Sequence, residues 1–170
     1  MFALAFRRSI VRFLLLSAIA ITICAAASSA QTSQFPPAKI YAQKLVNETL
    51  AAHPELHGLE IDATPPSKTA CVTIASDESL GIGEKCDADE IALIKSGKLL
   101  VEKEQENGKD YWVVTLPLQD ANGTAIAGVA VELLAGPDQT DASSTEKAHQ
   151  IAKEMAAKIA SREKLFEPVS

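Results

Sequence analysis

Apolar residues follow a helical spacing near both ends of the chain and a strand-like alternation between them. From residue 35 to 53 they recur every three or four positions, and they do so again from 145 to 166. The first pattern predicts amphipathic helices, whereas strict alternation predicts half-buried strands. The alternating segments predict five strands, at 59–63, 68–76, 99–104, 111–118 and 125–134.

Capping and turn residues separate these segments. Asp87 followed by Glu90 forms a capping box and Gly97 a C-terminal cap, which predicts a short helix between them. Asn107-Gly108 is a strong hairpin signal, and a second turn at Asp120-Ala121-Asn122-Gly123 predicts positive φ at the glycine. The last three strands are therefore predicted to form an antiparallel meander.

The order of the predicted elements defines the fold class. We expect an α+β fold in which a five-stranded antiparallel sheet is flanked by N- and C-terminal helices, with the short helix between strands 2 and 3. The terminal helices would cover one face, and the short helix with its glycine-rich loop would fold over the other and enclose a pocket. The predicted divisions are a domain over 31–135, a polar linker over 136–144 and an amphipathic helix over 145–167.

The first thirty residues have the three parts of a secretory signal peptide. Arg7, Arg8 and Arg12 precede an apolar core over 13–27, and Ser28-Ser29-Ala30 supplies small residues for the peptidase. We expect cleavage after Ala30 and a periplasmic or secreted protein. The alternative is an uncleaved anchor, which is disfavoured because the apolar core is shorter than the ~20 residues of a spanning helix.

Charge restricts the partners of the chain. Its 170 residues include 16 basic and 22 acidic ones, a net charge of −6. Cleavage after Ala30 would remove three arginines and no acidic residue, which leaves 13 basic and 22 acidic residues and a charge of −9. An acidic chain without a basic stretch is a poor candidate for nucleic-acid binding. No second long apolar run predicts stable membrane insertion of the mature chain.

Cysteine content agrees with export. Cys24 would leave with the signal peptide, and Cys71 and Cys86 remain as an even number in an oxidising compartment. We expect a disulfide between them, whose loop of ~15 residues would contribute about 3 kcal/mol. Two buried free thiols are the alternative.

One long motif resembles the PAS-like sensor domains of the Cache superfamily. It comprises Thr115-Leu116-Pro117-Leu118, the Asp120–Gly123 turn, and an apolar strand that contains Gly128. His53-Pro54-Glu55-Leu56 and Gly81-Ile82-Gly83 are also similar to that family. The resemblance covers about residues 37–134. It implies a PAS-like fold and an extracytoplasmic sensor that binds a small molecule over the sheet.

Four residues are the candidates for ligand contact: Tyr111, Trp112, Val113 and Gly128. Tyr111 and Trp112 are adjacent on a strand, so one should face the pocket and the other the helical cover. Gly128 would let a ligand or another backbone approach closely. Arg162 is the single arginine after residue 30 and is predicted to lie beyond the fold, which argues against a carboxylate ligand.

No set of residues predicts catalysis, a cofactor or a metal site. Pro54 and Gly58 separate His53 from His57 in a way that breaks any helical metal pair. The acidic residues near position 87 are better explained as a helix cap than as a calcium loop.

The sequence therefore favours an exported small-molecule-binding or sensing domain without its own output module, and not an enzyme. A second copy of the chain or a membrane sensor protein is the candidate partner. The alternative is a structural or interaction module of the same fold that dimerises or docks through its C-terminal helix. A cavity between the sheet and residues 77–97 would favour the first hypothesis.

Overall fold

The elements follow the predicted order. The computed structural model describes residues 36–79 and 81–169, and the predicted signal peptide with its cleavage site lies outside them. The helices and strands are α1 (Tyr41–Ala52), β1 (Leu56–Ala63), β2 (Val72–Ser76), α2 (Ala88–Ser96), β3 (Leu100–Glu106), β4 (Lys109–Gln119), β5 (Ala125–Leu134) and α3 (Asp141–Ala156), followed by a 3₁₀ helix (Arg162–Phe166).

The strands form one antiparallel sheet in the order β2-β1-β5-β4-β3. The first strand and the last therefore lie side by side in the middle, and α2 is inserted between the two halves of the sheet in the sequence. This arrangement confirms the predicted α+β, PAS-like fold class.

The helices α1 and α3 cover one face of the sheet. The core between them and the sheet contains alternate residues of the central strands, such as Leu59, Ile61 and Val129. The predicted apolar stripe of the C-terminal helix is buried in this core, and it consists of Ala148, Ile151, Ala152, Met155 and Ile159. The expectation that both terminal helices pack on the face away from α2 is confirmed within one chain.

Caps and turns have the predicted chemistry. Asp87 accepts hydrogen bonds from the backbone of α2 while Glu90 accepts one from Asp87 N, and Gly97 ends the helix at φ 70°. Asn107 and Gly108 both have positive φ in the β3–β4 hairpin. Gly123 has φ 82° in the β4–β5 turn, as predicted.

Strand β2 is shorter than predicted and contains a bulge. It begins at Val72 instead of residue 68, because the preceding residues form a turn closed by Lys68 N and Pro65 O. Its pairing with β1 skips Ile74, so that Ala75 lies opposite Ile61 and Thr73 opposite Asp62. Thr73 and Ala75, predicted on one face, therefore lie on opposite faces.

Both terminal helices have different limits from those predicted. The C-terminal helix was expected over 145–167 after a linker over 136–144, but α3 begins at Asp141 because Thr140 and Ser143 form a capping box. It ends at Ala156, and the chain resumes as a 3₁₀ helix. The helix α1 begins only at Tyr41, because Ile40 pairs in extended conformation with Pro168.

Cys71 and Cys86 form the predicted disulfide, with an S–S distance of 2.02 Å and Cα atoms 5.4 Å apart. The bond joins the residue before β2 to the residue before the N-cap of α2. Within residues 36–79 and 81–169, no helix has the length and apolar character needed to cross a membrane.

Candidate functional site

Carboxylates are concentrated on the face of the sheet that α2 covers. Glu60 and Asp62 are two residues apart on β1, so both point away from the α1–α3 core. Glu132 on β5 pairs with Gly58 and Val113 and lies on the same face. This face is therefore acidic where the opposite face is apolar.

One end of this face forms a cavity of about 220 Å³, here called the acidic pocket. It lies between the sheet and the segment that follows β2, where a cavity was expected from the sequence. Its lining is made of His57, Glu60, Ser76, Asp77, Glu78, Gly81, Glu106 and Glu132. Five of these eight residues are acidic, and neither arginine nor lysine is among them.

Gly58 allows one of these carboxylates to lie over β1. A Cβ atom at this position would lie 2.8 Å from Glu132 Oε2 and 2.9 Å from Glu132 Cδ. Glu132 is half-buried there, and Asp77 lies nearby, accepting a hydrogen bond of 3.0 Å from Leu59 N. The glycine thus makes room for a carboxylate at the wall of the acidic pocket.

An aromatic pair forms another wall. The rings of His57 and Tyr111 are stacked, with centroids 4.0 Å apart and planes at 15°. Tyr111 is buried behind the imidazole, whose Nε2 lies 3.6 Å from Glu106 Oε2. His57 is the one basic side chain in the lining.

Three carboxylates converge beside the acidic pocket and are here called the acidic cluster: Glu60, Asp62 and Glu90. One oxygen of each lies within 4.8 Å of the others. Glu60 belongs to both the cluster and the pocket. Glu90 lies in the first turn of α2. The sequence predicts no metal site, but the fold brings together oxygens that are 30 residues apart in the chain.

Asp62 is the most buried member of the cluster, with 1% of its surface exposed. Its Oδ1 accepts a hydrogen bond of 2.8 Å from Thr73 Oγ1, and its Oδ2 has no hydrogen-bond partner among the described residues. Within residues 36–79 and 81–169, no ion pair involves any of the three cluster carboxylates.

Burial and mutual repulsion favour the protonated forms of these groups. The pKa of Glu60 is raised to about 8, first by burial and then by Asp62, Glu90 and Glu132. Burial is also the largest cause of the raised pKa values of Asp62, Glu90 and Glu132. For Glu132 the nearby His57 partly opposes this shift.

The four residues predicted to contact a ligand are not all on this face. Tyr111, Val113 and Gly128 lie on the α2 side of the sheet, as judged by their pairing. Trp112 lies on the other side, where its Nε1 donates a hydrogen bond of 3.3 Å to Gln139 O. Ligand contact by these residues stays a prediction.

Gly128 has a packing role in the structure. A Cβ atom there would lie 3.2 Å from Ile94 Cγ1, so the glycine allows α2 to approach β5 closely. The group that packs against Gly128 is thus the side chain of Ile94 on α2.

Two further sequence interpretations concern basic residues. His53 is the C-cap residue of α1, and its Nε2 lies 2.8 Å from Glu154 Oε2 on α3. It therefore links the two helices and does not act together with His57. Arg162, predicted beyond the fold, donates a hydrogen bond to Thr64 O just after β1. Arg162 is therefore part of the fold, because the chain turns after α3 and brings residue 162 back to the sheet.

Three larger grooves lie elsewhere on the surface of the described residues. One of about 420 Å³ lies beside the start of α1 and is lined mainly by apolar residues such as Pro36, Ile40 and Ile82. Another of about 430 Å³ lies between β4 and α3, near His149 and Lys153. The third, of about 350 Å³, lies beside the disulfide, and its lining includes Lys85 and Lys95. None of the three brings together several carboxylates, which is why the acidic pocket is the candidate site.

The sequence predicted a cavity in this place, but it revealed neither the acidic lining of the pocket nor the acidic cluster. Glu60 and Asp62 alternate with apolar residues, which is typical of a strand with one solvent-exposed face. The only available signal was Glu132, an acidic residue within the otherwise apolar stretch 125–134. That signal does not reveal which residues of β1 or α2 lie next to it.

Comparisons with known proteins give structural similarities only. No protein-family model matches the chain, and no curated protein matches it. Similar solved structures include the repressor BlcR of Agobacterium tumefaciens, with 16% identity and a TM-score of 0.49 over 71% of this chain and 68% of that chain.

Two others are a domain of a transcriptional regulator and a histidine kinase. The C-terminal domain of the E. coli transcriptional regulator KdgR has 15% identity and a TM-score of 0.42, over 71% of this chain and 96% of that chain. A blue-light activated histidine kinase of Erythrobacter litoralis has 14% identity and a TM-score of 0.43, over 66% of this chain and 45% of that chain. The PAS-like topology of the present chain is given by its own strand order and inserted helix.

Proposed function

We propose that the protein is an exported, Cache-type sensory domain that binds a small, positively charged organic molecule in the acidic pocket. The observation that carries this proposal is the lining of that pocket, in which five carboxylates have no lysine or arginine among them. The proposal is for a binding protein and not for an enzyme.

Charge and size define the class of ligand. Carboxylates bind ammonium groups through charge-assisted hydrogen bonds. A volume of about 220 Å³ is below the roughly 300 Å³ at which pockets for drug-sized ligands begin. These properties support a small amine and argue against a carboxylate ligand, in agreement with the lack of arginine in the pocket.

The disulfide supports the export part of the proposal. Such bonds persist in oxidising compartments and are rare in the reducing cytosol. Together with the signal-peptide pattern of residues 1–30, the bond favours the periplasm or the extracellular space.

Docking through the C-terminal helix has less support. The apolar stripe that suggested it is buried against the protein's own sheet, with Ile151, Met155 and Ile159 fully covered. An interaction module would therefore have to use a different surface.

A thermal-shift screen tests the proposal. The purified protein, freed of metal ions by a chelator, is heated with small amines such as putrescine, choline or methylamine, and with acetate or succinate for comparison. Ligands that bind the native state stabilise it by about 2.7 kcal/mol at a hundred times their Kd. We expect at least one amine to raise the melting temperature and the carboxylates to leave it unchanged.

A pair of charge-matched variants locates the effect. Glu132→Gln keeps the side-chain size but removes one carboxylate of the acidic pocket, so it should weaken or abolish the amine-dependent shift. Glu146→Gln removes the same charge from the exposed side of α3 and should leave the shift intact. Stabilisation by carboxylates but not amines, or an equal shift in Glu132→Gln, contradicts the proposal.

A further inference from the structure

We propose that the acidic cluster of Glu60, Asp62 and Glu90 is a binding site for a hard divalent cation, with Ca²⁺ as the preferred ion. The cluster lies beside the acidic pocket and shares Glu60 with it, but two of its three members are outside the pocket lining. The site is therefore separate from the one proposed for an organic ligand.

The spacing of the three oxygens fits one ion. Calcium binds oxygen ligands at about 2.3–2.6 Å, so two oxygens on opposite sides of the ion are roughly 4.8 Å apart and neighbouring ones are closer. The three carboxylate oxygens all lie within 4.8 Å of one another. A single ion between them would contact all three.

Asp62 provides an independent reason to expect a ligand. The residue is 99% buried, and Oδ2 has no hydrogen-bond partner among the described residues. A buried carboxylate oxygen without a partner is unfavourable, and buried charges in proteins are paired or coordinate metals. Thr73 donates a hydrogen bond to the other oxygen, which fixes the orientation of the group in the way that outer-shell residues orient metal ligands.

The other two ligands are held by regular structure. Glu60 extends from β1 on the same face as Asp62. Glu90 is fixed at the first turn of α2, where its Oε2 accepts a hydrogen bond of 2.7 Å from Asp87 N. Its second oxygen can take part in binding without loss of the cap. In the part of the chain that the structure describes, no lysine, arginine or histidine forms an ion pair with any of the three carboxylates.

The donor set selects the class of cation. Oxygen donors without sulfur or imidazole suit Ca²⁺, Mg²⁺ and Mn²⁺ better than Zn²⁺ or Cu²⁺. Mg²⁺ usually keeps several water molecules and binds one or two carboxylates, whereas Ca²⁺ accepts more protein oxygens. Three carboxylates on one face therefore favour Ca²⁺, with water completing its shell.

Calorimetric titration and thermal denaturation of the purified, disulfide-bonded protein test the site. After removal of metal ions, CaCl₂ is added up to ~10 mM, which is above the weakest calcium affinities of extracellular modules. We expect one ion to bind per chain and to raise the melting temperature, with a smaller effect of MgCl₂. Lack of binding by either salt overturns the proposal.

Four variants test whether the ion is held by the acidic cluster or by neighbouring carboxylates. Asp62→Asn and Glu90→Gln should lower the Ca²⁺ affinity at least tenfold, and glutamine at position 90 keeps the capping box. Asp89→Asn removes a charge from the same turn of α2 but faces solvent, so it should bind normally. Glu132→Gln, which tests the amine pocket, should also bind Ca²⁺ normally.

The outcomes separate the two proposals. If Asp62→Asn fails to fold, Glu90→Gln carries the test alone. Unchanged Ca²⁺ affinity in Glu90→Gln, or loss of affinity in Asp89→Asn as large as in Glu90→Gln, overturns the cation site. The proposed sensory function would still stand in that case if Glu132→Gln loses amine binding and the three variants at positions 62, 89 and 90 keep it.

Discussion

Glu60 has a strongly raised pKa in the folded protein. It is half-buried between two other acidic groups, and its pKa is raised from the ordinary 4.5 to about 8. A carboxyl group with a raised pKa keeps its proton in the folded state at a pH at which the unfolded chain has lost it. Folding therefore takes up a proton between about pH 4.5 and pH 8, and stability falls as the pH rises through this range.

We predict that the free energy of unfolding of the metal-free protein decreases from pH 5 to pH 8. Glu60→Gln should flatten this decrease, although Asp62, Glu90 and Glu132 also contribute because their pKa values are raised as well. Urea denaturation in a chelating buffer at several pH values measures the slope. A free energy of unfolding that increases with pH over this range would contradict the prediction, because it would show that the negative charges of these carboxylates are stabilised in the folded state.

The pKa of Glu55 is shifted in the opposite direction from that of Glu60. Its pKa is lowered to about 2, mainly by a hydrogen bond from Lys147. The stability that it contributes is present above its ordinary pKa of 4.5 and is lost as the pH falls towards 2, so it leaves the slope between pH 5 and pH 8 unaffected. The matched control for Glu60→Gln is Glu146→Gln, which removes one negative charge from an exposed position.

At the scale of elements, local signals were sufficient where they involved neighbours in the sequence. The capping box of α2 and the glycine turns are set by residues three or four apart, and they were predicted correctly. The end of α3 depends on distant residues, because Ile159 turns into the core and its carbonyl accepts a hydrogen bond from Ala121 N in the β4–β5 turn. Helical periodicity cannot reveal that interaction.

We predict that truncation after Ala135 prevents stable folding. The deleted segment buries the side chains of Ile151, Met155, Ile159 and Leu165 completely. Each contributes roughly 1.5–3 kcal/mol, and their sum is comparable with the roughly 5–15 kcal/mol stability of a typical domain. Circular dichroism and size-exclusion chromatography should show an unfolded or aggregated product.

A pair of point variants checks the same packing less drastically. Met155→Ala should lower the free energy of unfolding by about 2–5 kcal/mol, because it leaves a cavity. Lys153→Ala on the exposed side of α3 should change it by less than about 0.5 kcal/mol.

A chain truncated after Ala135 that stays monomeric and melts like the intact protein would mean that α3 is not part of the folding unit.

At the scale of the whole molecule, the strand order creates the candidate site. The central pair β1–β5 places Glu132 next to Gly58, and the helix inserted after β2 brings Glu90 to the acidic groups of β1. The fold class could be predicted from the sequence because it depends on the order of elements. The site could not, because single-strand alternation does not distinguish a polar face exposed to water from one that is covered by a helix.

We predict that Cys71 and Cys86 are a linked pair in protein produced in an oxidising compartment and that the bond stabilises the fold. The two residues are separated by 15 positions, and a loop of that size corresponds to about 3 kcal/mol in the chain-entropy description. Mass spectrometry of unreduced peptides identifies the bond, and urea denaturation of the Cys71→Ser/Cys86→Ser double variant measures its contribution. Detection of two free thiols in protein purified from an oxidising compartment would contradict this prediction.

The position of that disulfide also determines the effective concentration of Glu90 at the two carboxylates of β1. Cys86 directly precedes the N-cap Asp87, so the bond tethers the first turn of α2 to the start of β2. Reduction would remove no carboxylate, yet it would allow α2 to spend time away from the sheet, and the local concentration of its carboxylate would fall. The redox state of the compartment would thereby set how readily three separate side chains act as one chelating group.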